Sequence, residues 1–149
     1  MGLRPSRPGG VTWLAAGVFL LAAGNTLRAV NGLHRQAFLE ELELSVPPAY
    51  LILSGAFWAL AGLALAAGLW RGAAWAGRLT FPAALVYSAH FWVDRLALAA
   101  SSLANLNWPF TAGVNALALA VIWLVLRRTE VRRFLLWAET RPQNAKRNE

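Results

Sequence analysis

Four apolar runs, each about as long as a membrane's hydrocarbon core is thick, constrain the fold more than any other feature of this sequence. They cover approximately residues 11–30, 49–69, 79–100 and 109–126. An α-helix rises ~1.5 Å per residue, so roughly twenty apolar residues cross a core of ~30 Å. Hydrophobic residues make up 58% of the chain, which exceeds the usual share in a soluble domain. The sequence therefore predicts an all-α membrane protein built as a four-transmembrane-helix bundle.

The segments outside these runs are too short to form a second domain. The longest of them, 31–48 and 127–149, could not bury a hydrophobic core of their own. We therefore expect a single transmembrane domain over residues 1–140 and a flexible cytoplasmic tail over residues 141–149, where the sequence is polar and contains Pro142. Catalysis in an appended soluble domain is excluded.

The formal net charge of +7 follows the connections between the runs. The far side carries three Arg against four acidic residues. The side shared by the termini carries Arg4, Arg7, Arg71, Arg78, Arg127, Arg128, Arg132, Arg133, Arg141, Lys146 and Arg147. By the positive-inside rule both termini are cytoplasmic. With an Arg-, Ala- and Leu-rich composition typical of bacteria, this indicates a bacterial inner membrane protein whose basic residues meet membrane lipids and not nucleic acid.

The first run has an alternative interpretation as a cleaved signal peptide. Arg4 and Arg7 precede an apolar stretch that reaches Ala22-Ala23-Gly24, a small-residue pattern typical of cleavage sites. Cleavage would leave three spans and separate the termini. Because the run continues to Val30, beyond the length of a usual signal core, we expect it to be retained.

Three connecting segments add detail to the bundle. Residues 31–48 mix apolar and charged side chains, which predicts a short amphipathic segment on the outer membrane surface. Residues 127–139 show a similar alternation with Arg, which predicts a cytoplasmic juxtamembrane helix against anionic lipid. Arg71 and Arg78 bracket a tight hairpin, so the second and third helices should be antiparallel neighbours.

Small residues recur at helical spacing and predict close helix packing. We expect a glycine series on the first helix, with an alanine series beside it, to form a seam where another helix approaches closely, and the glycine series is the stronger signal of the two. Packing within one bundle is favoured over a dedicated dimer face. These positions are Gly10, Gly17, Gly24 and Asn31; Ala15, Ala22 and Ala29; Gly55, Ala59, Gly62 and Ala66; and Ala112, Ala116 and Ala120.

The third run carries a polar stripe formed by Tyr87, His90, Asp94 and Ser101. Spacings of three, seven and fourteen residues place these side chains on one helical face. An unpaired carboxylate or imidazole in hydrocarbon is costly, so another helix or a ligand must satisfy them. The stripe is therefore the candidate site.

Depth along the helices identifies partners for this stripe. At ~1.5 Å per residue, Asp94 on the third helix and Asn25 and Arg28 on the first lie at similar depths in the outer half of the bilayer. We therefore predict that Arg28 pairs with Asp94 and that Asn25 and His90 extend the network. Asn115 on the fourth helix is a further candidate.

Two functional classes are compatible with such a network. In the first, it holds the helices of a structural or accessory bundle together, as interhelical hydrogen bonds do in membranes. In the alternative, His90 and Asp94 line a site that binds or transports a lipid, a quinone or a small polar molecule. Assembly as a homo-oligomer or as a subunit of a membrane complex is compatible with both.

Enzymatic interpretations are weaker. Cysteine is absent, and the two His residues, His34 and His90, differ too much in depth to share zinc or haem. Ser88 or Ser101 with His90 and Asp94 lacks an evident oxyanion hole. We therefore expect no catalytic residue, no metal site and no cofactor.

Overall fold

The computed structural model describes residues 6–36, 47–98 and 107–136. These residues are helical apart from short connections, and none of them forms a strand. The main helices are α1 (Gly9–His34), α2 (Pro48–Arg71), α3 (Ala74–Val93) and α4 (Trp108–Arg127). A π-helical turn, Asp94–Leu98, continues α3. A short helix, α5, covers residues 129–136.

Among the described residues, three helices are long and apolar enough to cross a membrane. They are α1, α2 and α4, with mean hydropathies of 1.5, 1.9 and 2.0. The chain is thus a membrane-embedded, multi-pass helical protein. Helix α3, which the sequence predicts as a further span, falls outside this group because its polar residues, among them Arg78 and His90, lower its mean hydropathy.

Helix α3 begins at Ala74, several residues before the predicted start of the third span. The reason lies in the turn that ends α2, where Gly72 adopts the left-handed conformation with φ of 76°. The Ala73 N–H donates to the Gly68 carbonyl at 2.8 Å, and the Gly72 N–H donates to the Leu69 carbonyl at 3.0 Å. These two hydrogen bonds together form a Schellman motif. The predicted tight hairpin between α2 and α3 is therefore confirmed, but it is shorter than the Arg71–Arg78 segment.

The buried apolar core gathers where α1 begins, α2 ends and α3 begins. Helix α5 closes this end of the molecule. Arg132 and Arg133 remain exposed on the other side of α5, so the predicted juxtamembrane helix packs its apolar face onto protein instead of onto lipid. The core cluster is Val11, Leu14, Ala15, Leu69, Ala76, Val131, Phe134 and Leu135.

The seam between α1 and α2 brings the alanine series of α1 against glycines of α2, and the greater weight given to the glycine series of α1 is wrong for Gly17 and Gly24. A Cβ added to Gly62 would lie 2.8 Å from the Ala22 Cβ, and one added to Gly55 would lie 3.2 Å from the Ala29 Cβ. Gly17 and Gly24 have no such neighbour within 4 Å. The two series are offset by two residues, about 200° around the helix, so only one can face α2.

Helix α4 lies at the periphery of the described structure. None of its residues is buried, and Ala116 and Ala120 of its predicted small-residue face are exposed. Its contact with α3 includes the rings of Phe81 and Trp123, whose centroids are 4.9 Å apart. The described helices therefore form a tightly packed α1–α2 pair with α3 and α4 added beside it.

Most of the predicted outer amphipathic segment lies outside the described residues.

Candidate functional site

The candidate site is organised around Asp94 at the end of α3. The Arg28 Nη2 atom of α1 lies 3.0 Å from Asp94 Oδ2 and donates a hydrogen bond to it. The Tyr50 hydroxyl of α2 donates to the other carboxylate oxygen, Oδ1. The pairing of Arg28 with Asp94 that the depth count predicts is thus present, and one carboxylate joins three helices.

His90 is the fourth member of this group, which we call the Asp94 network (Arg28, Tyr50, His90 and Asp94). His90 precedes Asp94 by one helical turn, and its Nε2 atom lies 3.6 Å from Asp94 Oδ2. That distance exceeds an ordinary hydrogen bond. Nε2 is buried and has no hydrogen-bond partner among the described residues.

Aromatic rings enclose the imidazole of His90. The ring centroid of Tyr50 lies 6.3 Å away, and that of Trp58 lies 5.6 Å away with an angle of 32° between the planes. Trp58 also meets Tyr87 edge to face, with centroids 5.0 Å apart. The imidazole therefore packs against aromatic rings, and its Nε2 atom lies near the Asp94 carboxylate.

The side chains of the network are shielded from solvent to different degrees. The side chain of Asp94 is 14% exposed, that of His90 is 20% exposed and that of Arg28 is 36% exposed. Charges attract more strongly away from water, but removing them from water has a cost that hydrogen bonds must offset. Asp94 meets that requirement with two donors on two different helices.

Asn25 and Tyr87 form a second polar contact, about one helical turn before Arg28 on α1 and before His90 on α3. Asn25 is only 6% exposed. Its Nδ2 atom donates to the Leu21 carbonyl at 2.8 Å and to the Tyr87 hydroxyl at 3.2 Å. Asn25 therefore links α1 to the stripe on α3 through Tyr87, and does not extend the Arg28–Asp94 pair as the depth count predicts.

Local sequence explains how these side chains reach the same depth. Tyr50 stands in the first turn of α2, two residues after Pro48, which occupies the first helical position. Asp94 stands where α3 changes to a π-helical turn, a local widening often found at functional sites. Because α2 runs antiparallel to α3, the start of α2 meets the end of α3.

The other predicted site residues do not join this network in the described structure. Asn115 of α4 donates from Nδ2 to the Ser88 Oγ atom of α3, so it links α3 to α4 instead of contacting Asp94. Ser101 lies outside the described residues. The predicted site thus divides into the Asp94 network, the Asn25–Tyr87 contact and a separate Asn115–Ser88 contact.

Two participants were not predicted as hydrogen-bonding residues. The sequence analysis did not name Tyr50 among the site candidates, and it considered Ser88 only in a Ser-His-Asp arrangement. The position of Tyr50 within one turn of a proline-marked helix start was the available signal, since it sets the depth of the hydroxyl. For Ser88 the only signal was its position next to Tyr87, the first residue of the stripe.

The arrangement suits helix association better than metal chemistry. In the described ranges no group of three or more His, Cys, Asp or Glu side chains is placed to hold a metal ion. The chemistry available is one carboxylate with two donors and one adjacent imidazole. No protein-family model matches the chain, and neither a curated protein nor a solved structure matches it.

Proposed function

We propose that the chain is a small structural or accessory membrane protein whose helices are held in place by the Asp94 network. The observation that carries this proposal is that Asp94 of α3 accepts hydrogen bonds from Arg28 of α1 and Tyr50 of α2. A carboxylate satisfied by two helices other than its own needs no ligand to be stable in a bilayer. Its role is to fix the relative positions of α1, α2 and α3.

The proposal includes α3 as a fourth span. The helix and its π turn together cover residues 74–98, roughly 37 Å at about 1.5 Å per residue. Its stripe residues meet partners on α1 and α2, which offsets its lower hydropathy. A four-span chain returns both termini to the same side.

The basic residues support a cytoplasmic position for that side. Arg7 stacks on Trp70 at the end of α2, with 3.9 Å from Cζ to the ring centroid. The buried residues of α5 contact the start of α1, so Arg132 and Arg133 lie at the same end as Arg7. We call this end of the molecule, with Arg7, Arg71, Arg78 and Arg127 to Arg133, the basic end. The positive-inside rule then assigns it to the cytoplasm, in a bacterial inner membrane.

A charge exchange tests the network. Arg28→Asp and Asp94→Arg should each lower the stability of the purified protein by about 2 kcal/mol, because each leaves like charges together in a shielded site. The double exchange should recover part of the loss but not all, since Tyr50 then has no carboxylate to donate to. Stability is measured as reversible unfolding in mixed micelles.

Arg133→Asp is the matched control, because it reverses a charge on an exposed side chain of α5. It should leave stability unchanged. A double exchange no more stable than its worse single variant would contradict the proposal, as would a harmless Asp94→Asn.

A second function is favoured by one observation, the buried His90 Nε2 atom that lacks a hydrogen-bond partner. In this alternative His90 and Asp94 bind a lipid, a quinone or a small polar molecule that completes the hydrogen bonding of the imidazole. A small molecule that co-purifies with the protein and is lost from His90→Gln, at an unchanged melting temperature, would favour this alternative over a purely structural network.

A further inference from the structure

An open groove lies between α1 and α2 on the part of their surface near the basic end. Its volume is about 500 Å³. Ala16 and Phe19 of α1 and Leu63 and Ala67 of α2 line its apolar length, and Trp70 and Arg71 lie at one end of it. From Leu63 to Arg71 the groove follows α2 for roughly 12 Å at about 1.5 Å per residue.

One guanidinium group lines the end of the groove, and a second lies over a lining residue, Trp70. Arg71 belongs to its lining, and Arg7 stacks over the Trp70 ring at 3.9 Å. The Nε atom of Arg7 is buried and has no hydrogen-bond partner among the described residues. A guanidinium placed over an indole ring can still donate from its terminal N–H groups to an oxygen acceptor. The groove is thus apolar along its length and cationic at its end.

This combination matches one class of membrane molecule. An acyl chain suits the apolar length of the groove. A phosphate with a net negative charge suits the Arg side chains near its end, because guanidinium groups bind phosphate oxygens in bidentate fashion. We propose that the groove is a binding site for an anionic phospholipid, with one acyl chain between α1 and α2 and the phosphate between Arg7 and Arg71.

The charge at this end selects among lipids. The apolar length would accept the chain of any phospholipid, whereas two guanidinium groups favour a headgroup with net negative charge over a zwitterionic one. The site is separate from the Asp94 network, which lies at the opposite end of α1 and α2. Its presence or absence therefore does not depend on the proposed role of that network.

Native mass spectrometry of the full chain tests the proposal. The purified protein is mixed with equal amounts of phosphatidylglycerol and phosphatidylcholine, and retained lipid is counted. The protein should retain phosphatidylglycerol in preference. Arg7→Gln and Arg71→Gln should each weaken that preference about fivefold, the change expected from one basic contact at a membrane surface.

The double variant Arg132→Gln/Arg133→Gln is the charge-matched control for Arg7→Gln/Arg71→Gln. Both control positions are exposed and lie on α5, outside the groove lining. The control should keep the preference. Equal losses in both double variants would mean that the basic end attracts anionic lipid without a site, and equal retention of both lipids by the unaltered protein would overturn the proposal.

Filling the groove tests its location. Ala67 is exposed and lines the groove, whereas Ala64 is exposed on the same helix and does not. Ala67→Phe should abolish the retained phosphatidylglycerol while Ala64→Phe keeps it, with melting temperatures alike. If Ala67→Phe does not fold, Ala16→Leu fills the groove from α1. Retention of lipid by a folded groove-filling variant would overturn the proposal. If the unaltered protein proves to be a dimer and the groove-filling variant a monomer, the groove is occupied by a second copy, which would also overturn it.

Discussion

Asp94 shows how a single residue can require particular neighbours. A carboxylate in the interior of a membrane protein is destabilising unless donors surround it. Arg28 supplies charge and one hydrogen bond at 3.0 Å, and Tyr50 supplies a second hydrogen bond. Each donor stands on a different helix, so satisfying this one side chain constrains the positions of α1 and α2 together.

The hydroxyl of Tyr50 is predicted to matter more than that of Tyr87. Tyr50→Phe removes a hydrogen bond to a charged group, so it should lower stability by about 1 kcal/mol. Tyr87→Phe removes only a neutral acceptor 3.2 Å from Asn25 and should cost less. Both are measured by reversible unfolding in mixed micelles. Equal effects of the two substitutions would argue that Tyr50 does not stabilise the carboxylate.

At the scale of the helix, the packing of α1 depends on which of two similar faces is chosen. Ala15, Ala22 and Ala29 are buried, whereas Gly17 and Gly24 are exposed. The partner helix supplies the glycines. A Cβ added to Gly55 would lie 3.0 Å from the Asn25 carbonyl oxygen and 3.1 Å from the Ala29 backbone nitrogen. Close approach therefore arises from glycine on α2 opposite alanine on α1.

Gly55→Leu should separate α1 from α2, because an added side chain meets backbone atoms that cannot move aside. We expect a loss of about 1–3 kcal/mol, the usual range for overpacking. Gly24→Leu is the matched substitution on an open surface, with nothing within 4 Å of an added Cβ, and should leave unfolding unchanged. A larger loss of stability for Gly24→Leu than for Gly55→Leu would indicate that the glycine series of α1 forms the seam.

Across the whole molecule, polar and apolar contacts are separated by position. The Asp94 network joins α1, α2 and α3 at one end of the bundle. The apolar cluster that includes Val11, Leu69 and Phe134 closes the other end together with α5. Helix α4 has no buried residue and adds a span beside this assembly. The two ends hold the helices by different means, and the basic end carries the exposed Arg residues.

Reporter fusions test the orientation proposed for the whole molecule. Green fluorescent protein fused after Glu149 should fluoresce, because the basic end is predicted to be cytoplasmic. Alkaline phosphatase inserted after Glu43 should be active, because residues 31–48 are predicted to face outward. An active phosphatase fused after Glu149 would place the C-terminus outside the cytoplasm and would contradict the proposed orientation.

Several features could be predicted because they depend on local sequence. The bounds of α1, α2 and α4 follow from apolar length, and the hairpin after α2 follows from its few residues. The Arg28–Asp94 pair could be predicted by counting depth along each helix, since spanning helices cross between the same two membrane surfaces. The network around His90 was accessible only in part, because a depth count does not tell which ring lies beside the imidazole.

The sequence by itself determined that the chain is a helical, multi-pass membrane protein and that Asp94 needs a partner at the depth of Arg28. Hydrocarbon thickness and the cost of an unpaired charge act on each helix separately, so both can be read from one helix at a time. Only the tertiary structure decided that alanines of α1 face α2, that Tyr50 donates to Asp94 and that α5 packs on protein. Those outcomes depend on the rotation of each helix about its axis, which is set by side chains that meet across helices.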